Sequence, residues 1–265
     1  MSISQRDPLS IAEAELQAGN ARLAVQFAQY ATTESPDRVR GWHVLASAAL
    51  RSGDYTVAVD AYESLSLLVP LGPNARISLA TAYGCIGRAT LSRDLLLSAA
   101  DDDLDNEQLL RIAAGFEAVD EPYLAMQVCR RAGKQFPDTG KIHYQMAYYA
   151  SRCGHPVTVI EALMRRAIDL EPDNVHFRIG LSSLLLRLGR RHAAFEVIDP
   201  LIPGQIERVS CECCLKRLAN FFFDLDDLKK AKCCAERLRV VVSERSDAKL
   251  ATMIDKNATH QSGSN

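Results

Sequence analysis

The chain has 265 residues, 48% of them hydrophobic and 24% charged, with a formal net charge of -2. So balanced a charge argues against a polyanion binder that works through general basicity, and no run approaches the ~18–20 apolar residues that a bilayer span requires. The opening Met1-Ser2-Ile3-Ser4-Gln5-Arg6 lacks the apolar core of a signal peptide, so cytoplasmic residence is the expectation, with the eight cysteines kept as thiols.

Punctuation along the chain is periodic. Gly19, Gly53 and Gly87 stand 34 residues apart, and Gly154 and Gly189 continue the series. Pro36 and Pro70 keep the same 34-residue step, and Pro137 and Pro172 are 35 apart. Such a period predicts an array of helical repeats rather than one globular core. Eight residues before each turn lie Ile11, Leu45, Leu79, Ile112, Met146, Leu181 and Leu218, and the next position holds Ala12, Ala46, Ala80, Ala113, Ala147, Ser182 and Ala219. Five residues beyond the turn come Ala24, Ala58, Ala125, Ala194 and Ala231. These columns predict pairs of antiparallel helices whose contact is made of small side chains, letting the axes approach closely.

In chain order the units run over residues 5–38, 39–72, 73–105, 106–139, 140–174, 175–205 and 206–245. The turn between the two helices of a pair carries Gly, or Asp120 and Asp226 in the fourth and seventh units, which suits a left-handed backbone at a helix end. The prolines stop the second helices. The acidic run Asp101-Asp102-Asp103-Leu104-Asp105 should cap the first helix of unit four, and Asp173-Asn174 that of unit six. The third, fifth and seventh units are degenerate: the third has Leu104 where proline is expected, the fifth carries an extra residue near His155-Pro156, and the seventh keeps little beyond its alanines. A terminal repeat is released from the packing code on one side. Residues 246–265 are polar and read as a frayed helix followed by a disordered tail.

Trp42-x-x-Leu45-Ala46, then Gly53-Asp54-Tyr55-x-x-Ala58, Tyr62 and Pro70, resemble the tetratricopeptide repeat family, as does the junction Ala167-Ile168-Asp169-Leu170-Glu171-Pro172-Asp173-Asn174. The resemblance implies an all-α, right-handed superhelical solenoid of about seven antiparallel helix pairs over residues 1–245. It also implies a concave face, lined by the first helices, that holds an extended peptide or a partner helix. Carried onto this sequence, the lining positions are Arg6, Arg40, His43, Arg51, Lys141, Tyr144, Tyr148, Arg152, His176 and Arg187, densest in units five and six. Guanidinium forks beside tyrosine rings suit an acidic or carboxylate-ended peptide; the plainer alternative is an ordinary solvated helix face. The family's two-carboxylate clamp uses asparagines. In units one to six those columns hold Ser10, Val44, Ser78, Arg111, Gln145 and Gly180, and Glu13, Ser47, Thr81, Ala114, Tyr148 and Ser183, so a clamp of that kind is not expected.

Cys211, Cys213, Cys214, Cys233 and Cys234 fall within 24 residues. Familiar zinc patterns place each pair of cysteines on a tight loop, whereas these fall on two predicted helices, so core packing is the expectation and no metal is assigned. No nucleotide-binding loop, nucleophile elbow or H-E-x-x-H spacing appears, and neither catalysis nor a cofactor is expected. The reading is a non-catalytic scaffold or adaptor that binds another protein; the alternative is an assembly or secretion chaperone keeping a client soluble. Nucleic acid is not expected, and self-association through an incompletely capped end is left open.

Overall fold

The computed structural model describes residues 7–261, with side-chain environments through residue 244. Every regular element among them is a helix, and the helices come in pairs. In order these are α1 (Pro8–Gln17) with α2 (Ala21–Glu34), α3 (Val39–Ser52) with α4 (Tyr55–Leu68), α5 (Pro73–Cys85) with α6 (Ala89–Ala100), and α7 (Asn106–Ala118) with α8 (Pro122–Gln135). There follow α9 (Gly140–Arg152) with α10 (Val157–Leu170), α11 (Val175–Arg187) with α12 (Arg191–Ile198), the single turn α13 (Pro203–Ile206), and α14 (Glu212–Asp224) with α15 (Leu228–Gln261). The chain divides into two compact units, Met1–Pro137 and Asp138–Asn265. The expected frayed segment is helical to Gln261, and the last four residues of the expected disordered tail lie outside the described residues, as does Arg6.

The turns explain the pairing. Gly19, Gly53, Gly87, Gly154 and Gly189 all have positive φ, between 73° and 89°, and Asp120 and Asp226 adopt the same region at 58° and 59°. One left-handed residue reverses the chain, and only glycine, or a short polar residue at some cost, enters that region readily. At the other end of four pairs the residue before proline leaves the helical region: Ser35, Val69, Phe136 and Glu171 close α2, α4, α8 and α10 with φ between -147° and -129°, whereas Asp199, before Pro200 at the end of α12, stays helical at φ -55° and ψ -38°. Clash with the proline ring disfavours helical dihedrals in the preceding residue.

Small residues line the seam within each pair. Ala12, Ala24, Ala46, Ala58, Ala80, Ala125, Ala147 and Ala194 are fully buried. Ser182 fits the same column because its hydroxyl donates to the Ala194 carbonyl of α12 at 2.8 Å, so the buried oxygen is satisfied. In the last pair Ala219 and Ala231 are only half-buried, a loosening that a terminal repeat permits. In the amino-terminal unit Phe116, Leu96 and Ile112 are the bulk of a core between seams; in the carboxy-terminal unit Phe222, Ile198, Leu215 and Leu218 do the same. Burying each such side chain contributes about 1.5–3 kcal/mol.

Junction side chains fix the order of the pairs. Asp105 and Gln108 form a reciprocal capping box at the start of α7, as expected of the acidic run, and Arg131 reaches the carbonyl of Asp102 at 2.7 Å. Trp42 donates its indole N–H to the Pro36 carbonyl at 2.7 Å, tying α3 to the loop before it. The expected Asp173-Asn174 cap is not formed: Asn174 occupies the N-cap of α11 without a side-chain bond to its backbone, and instead donates to Glu171 Oε2 at 3.0 Å. Glu171 in turn caps α9, accepting from the Lys141 N–H at 3.0 Å. One carboxylate thus caps α9 with one oxygen and holds the Asn174 side chain with the other.

Candidate functional site

In the amino-terminal unit two of the three expected lining residues are occupied by their own chain. Arg40 forks onto Glu13 with contacts of 2.5 and 2.8 Å, and Arg51 donates to the Leu16 carbonyl at 2.8 Å. These guanidiniums staple α3 to α1. His43 is exposed and borders a shallow hollow of about 260 Å³ with Val39, Leu65 and Pro73.

The carboxy-terminal unit gathers a different set. The first helices α9, α11 and α14 enclose an open groove of about 590 Å³ whose floor includes Met164 of α10. Tyr144 and Tyr148 enter it from α9, one turn apart. From α11 come Gly180, Ser183 and Arg187, and from α14 come Arg217, Asn220 and Asp224. Both triplets have the spacing i, i+3, i+7, which keeps three side chains on one helix face. The groove is therefore a product of register: the same positions of successive first helices face the same way.

Tyr144 is the most constrained member. Its ring stacks on Phe177 at a centroid distance of 4.7 Å and an interplanar angle of 21°, and is tilted against His176 at 5.2 Å. Gly180 makes this possible, since a Cβ there would run into the tyrosine hydroxyl and lie 2.8 Å from Cε2. Burial raises the Tyr144 pKa, with a contribution from Cys214 and against an opposing one from Arg217, so the phenol is a neutral donor. Tyr148 meets Tyr149 edge-on at 5.1 Å and presents an open face, 42% exposed. Asp224 is paired with Arg191 of α12 at 3.4 Å. Among the described residues neither Arg187 nor Arg217 is paired with a carboxylate, in contrast to Arg40.

Of the nine lining residues expected within the described region, Tyr144, Tyr148 and Arg187 converge on the groove. Lys141 lies exposed at the start of α9 and Arg152 exposed at its end. His176 faces a thiol instead, its Nδ1 3.4 Å from Cys214 Sγ, and desolvation of the ring, then Arg217, lowers its pKa. Arg217, Asn220 and Asp224 were missed because the lining columns were read only through the sixth unit. The signal was present: Arg217 and Asn220 precede the Asp226 turn by nine and six residues, as Gly180 and Ser183 precede Gly189. Extending the columns one unit further places an asparagine, Asn220, in a set that holds none in the first six.

The thiols also depart from expectation. Cys214 and Cys234 are buried in the core, but Cys213 is exposed and Cys211 half-buried. Cys211 is the N-cap of α14 and has extended backbone dihedrals of -91° and 115°, so it is not one turn along a helix from Cys214 but folds back over the first turn. The three sulfurs lie within 4.8 Å of one another, with 2.9 Å between those of Cys211 and Cys213. The contact with Cys213 brings the Cys211 pKa down to about 7, whereas burial pushes Cys214 up to about 12. Cys233 stands apart, 3.9 Å from the Pro203 carbonyl.

No protein-family model matches the chain, and no curated protein sequence matches it. Solved structures do. The C-terminal part of a TPR repeat-containing protein from Cytophaga hutchinsonii superposes with a TM-score of 0.61 over 88% of this chain and 95% of that one, at 12% identity. The fold is that of the tetratricopeptide repeat proteins. MamA has the same fold, with a TM-score of 0.55 over 64% of this chain and 92% of its own at 14% identity. So does YrrB, a TPR protein with an unusual peptide-binding site, at 0.54 over 69% and 90%, again with 14% identity. Within this tetratricopeptide fold no described helix is long and apolar enough to cross a membrane.

Proposed function

We propose that this protein is an interaction scaffold whose groove between α9, α11 and α14 holds an extended, acidic segment of a partner protein. The observation that carries the reading is that Arg187 and Arg217, unpaired with carboxylates among the described residues, line the same groove as Tyr144 and Tyr148, from the two first helices that follow α9. Guanidiniums paired within the chain, such as Arg40, are already satisfied; those in the groove gain most from an incoming carboxylate. Tyrosines add contact area with few rotors to freeze, and Asn220 and Ser183 offer amide and hydroxyl partners for an extended backbone. The peptide-binding site of YrrB supports the reading by analogy of fold.

The test is affinity purification with the wild type, the double variant Arg187→Glu/Arg217→Glu, and Arg40→Glu as a control outside the groove. Partners lost with the double variant and retained by the control support the groove; an unchanged partner set with all three proteins refutes it. Solubility of a recovered partner when expressed alone then separates an adaptor from a chaperone, because a chaperone's client precipitates without it.

A further inference from the structure

We propose that Cys211, Cys213 and Cys214 form a zinc site, with His176 of the neighbouring first helix as the fourth donor. Three features of the molecule meet there. The thiols converge beyond what the core requires: Cys213 is exposed and does not work as apolar filler, and Cys211 is only half-buried at the edge of the core. Their sulfurs lie within 4.8 Å of one another, and the sulfur–sulfur edge of a tetrahedral zinc–thiolate centre is ~3.8 Å given Zn–S bonds of about 2.3 Å. Closing the site asks Cys211 and Cys213 to open from 2.9 Å and the longer separations to shrink, both within reach of χ1 rotations at an N-cap and a first helical turn.

The histidine comes from a separate element. His176 sits in the first turn of α11, and its Nδ1 is 3.4 Å from Cys214 Sγ, close to the ~3.6 Å nitrogen–sulfur edge of the same tetrahedron. His176, Cys211 and Cys214 line a common hollow of about 350 Å³ that is open to solvent, which provides a route in for the ion. Three thiolates and an imidazole favour zinc over the hard cations, and the starts of α11 and α14 each place a positive helix end beside the developing negative charge. The metal would cross-link α11 to α14, the two helices that supply both arginines of the groove. It would also fix the His176 ring against which Tyr144 is tilted. The short Cys-x-Cys-Cys spacing is readable as a site only because Cys211 lies outside the helix.

Cobalt(II) reports directly on such a centre. Metal-stripped, reduced full-length protein titrated with cobalt should show thiolate-to-metal charge transfer and intense tetrahedral d–d bands that saturate at one equivalent and bleach on addition of zinc. Cys213→Ser, chosen because that thiol is exposed and its loss leaves the core intact, should lose about a third of the charge-transfer intensity. It should also weaken binding at least tenfold, since even outer partners of a metal ligand are worth about tenfold to a hundredfold. His176→Asn should keep the charge transfer but shift the d–d bands, and at equal concentration zinc should raise the unfolding temperature of the wild type by more than that of Cys213→Ser. Cys85→Ser, an exposed thiol in the other unit, should behave as wild type. Absence of a tetrahedral spectrum at one equivalent, equal loss in Cys85→Ser, or binding of copper(I) with none of zinc would each overturn the assignment. Far-ultraviolet circular dichroism of every variant separates lost ligation from lost fold.

Discussion

Replacing Gly180 by alanine sets two terms of similar size against each other. The residue is inside α11, where alanine is better than glycine by about 1 kcal/mol. The new methyl group, however, would collide with the Tyr144 hydroxyl and approach its ring carbons at 2.8 and 2.9 Å, so the phenol has to leave its place. Leaving costs the stacking on Phe177, about 0.5–1.5 kcal/mol beyond the area it covers. Gain and loss nearly cancel, and the stability of Gly180→Ala should fall within about 1 kcal/mol of wild type. The groove should still lose its platform, so a partner recovered through Arg187 and Arg217 should bind at least tenfold more weakly. Urea unfolding followed at the helical signal measures the first quantity. Near-ultraviolet circular dichroism of the tyrosines and titration calorimetry measure the second. A loss above about 2 kcal/mol would show that the ring cannot move aside. A gain of about 1 kcal/mol with unchanged near-ultraviolet signal and affinity would show that Tyr144 does not lie over Gly180.

Asp226→Gly should raise stability by several tenths to about 1 kcal/mol, because the left-handed conformation at φ 59° costs an L-residue about 1–2 kcal/mol and the greater freedom of glycine in the unfolded chain offsets only part of that. Gly53→Ala is the converse: open space surrounds its missing Cβ, so a loss of about 1 kcal/mol in urea unfolding would be purely conformational. The buried Cys129 thiol has its pKa pushed by burial from 9.0 up to about 12. The unfolded chain therefore releases this proton first, the contribution to stability is complete below pH 9, and it is lost as pH rises towards about 12. Unfolding midpoints of Cys129→Val should decline less steeply over that window than those of wild type; an identical slope would remove Cys129 as a source. The remaining decline in the variant should reflect Cys214, Cys234 and Tyr83, which are raised in the same direction.

What the sequence revealed divides along physical lines. Positions that obey backbone sterics were readable one residue at a time. A left-handed turn admits Gly and tolerates Asp, which is why Asp120 and Asp226 could be recognised as members of the glycine series. Ser35, Val69, Phe136 and Glu171, each before a proline, leave the helix for a similarly local reason. Side-chain pairings over longer distances were not readable. Whether Arg40 faces a ligand or Glu13 depends on the distance between α3 and α1, and the Asn174 side chain is drawn from the α11 backbone to Glu171, whose other oxygen reaches α9. The groove was half legible: Tyr144, Tyr148 and Arg187 follow from the register of units five and six, whereas in the degenerate seventh unit only the packing positions Leu218, Ala219 and Ala231 were read. For the cysteines one boundary decides: Cys214 and Cys234 pack in the core as expected, whereas Cys211, at the N-cap rather than inside α14, brings its sulfur near those of Cys213 and Cys214.

The alanine seam has a thermal consequence. A seam of buried alanines such as Ala46, Ala58 and Ala147 orders no side-chain rotors and hides little hydrocarbon per residue; its strength comes from the nearness of two helix axes. Apolar surface released on melting is the chief source of the heat-capacity increment. A protein joined in this way should therefore have a shallower stability curve than a globular protein of equal length with a bulky core, changing less between cold and warm conditions and giving a broader calorimetric transition. Its resistance to temperature would derive from geometry more than from bulk.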